Sequence, residues 1–98
     1  MPAKATKSVA KRRTGVFDEV KGLIEGDRQE AYGDVDESFG RIAALWEQVL
    51  GYEVTPEQVA VCLLQLKVAR YVASEGRDSV VDMVGYAGLL AKLHGWEP

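Results

Sequence analysis

Between Thr55 and Gly76 the chain has little choice but to form one long helix. Pro56 follows Thr55, and Gln58 stands three residues after the threonine. A threonine hydroxyl can accept the backbone N–H three residues on, while a glutamine there reaches back to the threonine N–H, so T-P-E-Q reads as a capping box. Proline at the first helical position gives up only an N–H that the helix would leave unbonded. From Val59 to Ala73 the only interruptions of an apolar run are Gln65, Lys67 and Arg70. A helix apolar on nearly every side belongs in the middle of a packed domain. It needs cover on more than one side, which points to a subunit interface and a homodimer or higher homo-oligomer.

Three more segments repeat the helical period. Phe17, Val20, Leu23 and Ile24 predict a first helix from about Val16 to Tyr32, closed by Gly33 in the place of a left-handed terminator. Phe39, Ile42, Ala43, Trp46, Val49 and Leu50 predict a second from about Asp36 to Leu50, with Asp36 and Glu37 at its positive end and Gly51 beyond it. Trp46 falls on that core stripe. Gly76 ends the third helix. Asp78 is the expected N-cap of a fourth that runs to His94, with Gly95 as terminator and Trp96 just past it, placed to pack on the bundle or a neighbour. Gly85 and Gly88 inside it each cost about 1 kcal/mol relative to alanine, which is repaid where another backbone or a ligand comes close. No segment alternates with a strand period. The prediction is an all-α, compact four-helix bundle-like domain over residues 16–98, preceded by a disordered basic tail over residues 1–15.

Charge is divided unevenly. Residues 1–14 hold five basic groups and no acid, so the rest carries seven basic groups against fifteen acids, a net of −8. A basic tail can contact nucleic-acid phosphates. The acidic body opposes that, and no aromatic residue is interleaved with the tail's charges. No apolar stretch after the basic residues suits a secretion signal, and no run suits a membrane span, so the expected location is the cytoplasm. Cys62 is the only cysteine and His94 the only histidine. This excludes an internal disulfide and a Cys/His zinc cluster, and Cys62, in an apolar run, is expected as a small buried hydrophobe.

Charges on otherwise apolar helices carry the functional information, because a buried charge is costly unless paired. They fall into three sets: Asp27 with Arg28, Lys67 with Arg70, and Asp78 with Asp82, bordered by Tyr32 and Tyr86. Asp78 and Asp82, one turn apart on one helical face, can share a magnesium ion whose other ligands are waters and phosphate oxygens. Lys67 and Arg70 suit the phosphates. Tyr32 or Tyr86 suits a base. The competing reading is a salt-bridge network, since three acids and three bases neutralise one another.

The stretches D-R-Q-E-A-Y-G-D (Asp27 to Asp34), S-F-G-R-I-A-A-L-W (Ser38 to Trp46), T-P-E-Q-V-A (Thr55 to Ala60), L-K-V-A-R (Leu66 to Arg70) and D-S-V-V-D-M-V-G-Y-A (Asp78 to Ala87) resemble a family of small uncharacterised domains of bacteriophages and prophages. The resemblance covers roughly residues 17 to 94, and Ser38 stands where many relatives have asparagine. That family is similar in pattern to the nucleotide-modification-associated domains of phages. More distantly it resembles the MazG-like all-α nucleoside triphosphate pyrophosphohydrolases. The resemblance implies an oligomeric helical fold that holds magnesium with carboxylates from two helices, with Asp78 and Asp82 at the second acidic motif. The first motif of those enzymes, E-E-x-x-E, is not intact; Asp27, Glu30 and Asp34 stand loosely in its place. The expectation is a phage-type accessory protein that binds a nucleotide and hydrolyses it to monophosphate and pyrophosphate. In that scheme Asp27 and Glu30 act on metal or water, and Lys67, Arg70, Arg28, Tyr32 and Tyr86 hold the ligand. The alternative is a non-enzymatic phage protein that binds a host or phage protein.

Overall fold

The computed structural model describes residues 14–25 and 34–98. They form four helices: α1 (Val16–Glu25), α2 (Val35–Leu50), α3 (Pro56–Ser74) and α4 (Arg77–Leu93). The basic tail and the expected end of the first helix at Tyr32 lie outside the described residues.

The helix ends follow from local chemistry. Asp34 caps α2 by accepting the Asp36 N–H at 2.8 Å. Gly51 ends that helix at φ 83°, a left-handed conformation that glycine adopts without steric cost, and donates its N–H to the Glu47 carbonyl. The Glu47 carboxylate accepts the Val54 N–H at 3.0 Å, which folds the short loop back toward α3. The capping box of α3 is present in both directions, with Gln58 N–H to the Thr55 hydroxyl at 3.1 Å and Thr55 N–H to the Gln58 side chain at 2.9 Å. Gly95, at φ 78°, follows the end of α4.

The start of α4 differs from the sequence expectation. Gly76 is the N-cap and Arg77 the first helical residue, so Asp78 lies in the first turn rather than at the cap. There it still faces the positive end of the helix dipole.

Phe39 and Ala43 of α2, Val54 of the loop, and Val59 and Ala60 of α3 form the buried core. Leu63, Tyr86, Leu89, Leu90 and Leu93 pack around it with Val35, Ile42 and Trp46. The core therefore lies where α2 crosses the first half of α3 and the second half of α4. Beyond that crossing α3 keeps its contact with α4 but loses the cover of α2. Cys62 is exposed, contrary to the expectation of burial, because it lies on the opposite side of α3 from buried Ala60. Phe17 and Val49, placed on core stripes by their period, are also exposed, at 78% and 84%.

α1 packs on α4 and runs parallel to it. At one end, the Arg77 guanidinium donates to the Glu19 carboxylate at 2.8 Å and to the Thr14 carbonyl at 2.9 Å. Further along, a Cβ on Gly88 would come within 2.6 Å of the Ile24 δ-methyl, so the absence of a side chain there leaves room for the tip of Ile24. Gly85 has no such neighbour among the described residues, so close approach explains only one of the two glycines. A cleft of about 540 Å³ opens along this seam, lined by Phe17, Val20, Ile24, Val84, Lys21 and Lys92 among others.

Candidate functional site

α3 and α4 form an antiparallel hairpin joined by Glu75 and Gly76. At 100° per residue, Lys67 and Arg70 share one stripe of α3, and Asp78, Asp82 and Tyr86 share one face of α4. The hairpin brings the two stripes together. Lys67 Nζ lies 3.1 Å from Asp82 Oδ2, with the lysine side chain 21% exposed and the aspartate 42%. A half-buried ammonium needs an acceptor, and Asp82 is the one it meets. With one partner this open to water, the pair contributes about 0–1 kcal/mol to stability.

Asp78 stands one turn before Asp82 and is exposed, as is Arg70. Tyr86 is half-buried and packs against the core cluster, which holds its ring in place one turn beyond Asp82. Asp27, Arg28, Glu30 and Tyr32 lie outside the described residues. Among the described residues no three acid, histidine or cysteine side chains gather in a group able to hold a metal ion. Asp78 and Asp82 are the two carboxylates this face offers.

Magnesium commonly takes one or two protein carboxylates and fills its octahedron with waters and phosphate oxygens. The pair on α4 meets that requirement for a metal that arrives with phosphates. It does not meet it for a cage built from protein alone.

The sequence reading overlooked Arg77. A basic residue in the first turn opposes the helix dipole, a signal that such a residue has a partner elsewhere. It has two, Glu19 and Thr14.

A family model described as a domain of unknown function, DUF6378, matches residues 15–94. The chain belongs to the DUF6378 family. The match spans all four helices of this DUF6378 chain and begins just before α1. Similar proteins occur in mycobacteriophages. The Gene 55 protein of Mycobacterium phage L5 is 47% identical over 73 residues, which cover 72% of this chain and 47% of that protein. The Gene 55 protein of Mycobacterium phage D29 is 37% identical over 81 residues, which cover 81% of this chain and 53% of that protein. The DUF6378 chain thus spans about half the length of the curated relatives it matches. No solved structure matches it. No helix among the described residues is long and apolar enough to cross a membrane.

Proposed function

We propose that this DUF6378 domain is a phage-type accessory protein that binds a nucleotide on the α3–α4 face. The observation that carries the reading is the 3.1 Å contact between Lys67 and Asp82. Two motifs fifteen residues apart in sequence meet there on one half-exposed surface, with Arg70, Asp78 and Tyr86 on the same helical faces.

The contact also suggests how the face takes a ligand. With no nucleotide, Lys67 neutralises Asp82. A phosphate chain gives Lys67 a stronger acceptor and releases Asp82. Arg70 adds a planar, bidentate donor to the same phosphates, and the ring of Tyr86 borders the ligand. Asp78 and the released Asp82 are the residues that would hold magnesium; the metal's contribution would be to neutralise phosphate charge and polarise the phosphorus–oxygen bonds. Cleavage to monophosphate and pyrophosphate, as in the MazG-like enzymes, would further require a group that activates water, the role expected of Asp27 or Glu30.

The test is a thermal-shift panel of nucleoside mono-, di- and triphosphates with and without magnesium, since a ligand that binds only the folded state raises the melting temperature. A magnesium-dependent rise with one nucleotide class that disappears in Asp82→Ala is the expected result. A flat panel at millimolar ligand rejects the reading.

A second reading, a non-enzymatic protein that binds a host or phage protein, is favoured by the apolar end of α2. Leu45, Val49, Leu50 and Tyr52 are all exposed there. It predicts a pull-down partner retained by Asp82→Ala and lost by Val49→Asp.

A further inference from the structure

The side of α3 turned away from the core is largely apolar. Val61, Cys62, Leu66, Ala69, Val72 and Ala73 are exposed along it, Leu66 by 51% and Val72 by 75%, with Gln65 among them, Gln58 one turn before Cys62 and Arg70 exposed at its edge beside Leu66. The body around it is strongly acidic, at net −8 over residues 15–98.

Cys62, Leu66, Ala69 and Ala73 are spaced four, three and four residues apart. That is the seam of a helix that packs lengthwise against another helix. The sizes along the seam distinguish the partner. If the same seam is read in the opposite direction, Leu66 falls opposite Ala69 and Cys62 opposite Ala73, so each larger side chain meets a small one. Read in the same direction, Leu66 meets Leu66 and Ala69 meets Ala69, which crowds one layer and leaves a void in the next. A seam that is its own complement when reversed suits two copies related by a two-fold axis perpendicular to the helices. Charge permits this: two bodies of net −8 meet with least repulsion across a strip that carries no acid.

We infer that the exposed strip of α3 is the contact for a second copy of this chain, with the two α3 helices antiparallel and Leu66 of each beside Ala69 of the other. The inference can be tested apart from nucleotide binding, because Lys67, Asp78 and Asp82 lie toward α4 and Arg70, which borders the strip, is left unchanged in the variants below. It predicts a mass of twice 10.7 kDa for the full chain in sedimentation equilibrium. The exposed-site double variant Leu66→Glu/Val72→Glu, with its helical circular dichroism retained, should sediment as a monomer. The arrangement has a second, independent readout. Under mild oxidation with glutathione disulfide, Ala73→Cys should cross-link to Cys62 of the other copy, giving a dimer on non-reducing gels that Gln48→Cys, on α2, does not give. A wild-type chain monomeric at about 100 µM, where an interface of micromolar Kd would be nearly saturated, overturns the inference and leaves the strip to a different protein. A dimer that survives the double variant, or one that Ala73→Cys fails to cross-link, places the interface elsewhere and overturns it equally.

Discussion

Lys67 and Asp82 meet at 3.1 Å between α3 and α4, and each neutralises the other. Removing one partner therefore affects stability and ligand binding differently. Asp82→Asn should change folding stability by about 1 kcal/mol or less, as for other exposed pairs. If the proposed site is correct, the same substitution should abolish the magnesium-dependent thermal shift. Urea denaturation and the nucleotide panel, run on one preparation, separate the two effects. A large stability loss with ligand binding intact would identify Asp82 as a structural residue.

Lys67→Met gives the opposite asymmetry. It frees Asp82 without disturbing the carboxylates, so a metal ion should still be accepted while affinity for triphosphate falls by about tenfold or more, the scale of one lost charged hydrogen bond of 1.5–3 kcal/mol. Isothermal titration with the magnesium–nucleotide complex and with magnesium alone checks both halves.

Gly85 and Gly88 should respond differently to the same change. Nothing among the described residues approaches Gly85, so Gly85→Ala should stabilise the domain by about 1 kcal/mol through helix propensity alone. At Gly88 the gain is opposed by the Ile24 δ-methyl at 2.6 Å, so Gly88→Ala should give less than Gly85→Ala. Gly88→Val should displace α1 outright. Chemical denaturation ranks the three variants.

Glu19→Gln should weaken the hold of α4 on α1 without reaching the core. The pair is about one-third exposed on each side, so its contribution is discounted to about 1 kcal/mol or less. Amide exchange should rise in α1 and stay unchanged at Val59 and Ala60. Uniform faster exchange would show that α1 is part of the main cooperative unit.

The capping box and the four helices were legible in the chain because each depends on local spacing, and so was the polar stripe on each of α3 and α4; that Lys67 meets Asp82 depended on how the two helices pack. What was not legible depends on how far a neighbouring helix extends. Val49 and Phe17 fit their stripes by period but project past the helices that would cover them, and Cys62 shares its run with buried Val59 and Ala60 yet faces outward. Helical period identifies an apolar face; whether it is covered is decided by the length and angle of another segment. Arg77 was passed over for a similar reason, since its partners Glu19 and Thr14 are about sixty residues away in sequence.

Arg77 has one more consequence, for handling the protein. Its grip on the Thr14 carbonyl fixes the point where the chain enters α1 at the same end of α4 as Asp78. An affinity tag or a fluorophore at the amino terminus is tied to that end of α4 through the thirteen residues ahead of Thr14. A label after Pro98 starts from the other end of α4, a 17-residue helix and so about 25 Å away at 1.5 Å per residue. Binding measured with an amino-terminal fusion and with a carboxyl-terminal one should be compared before either is taken as the property of the domain.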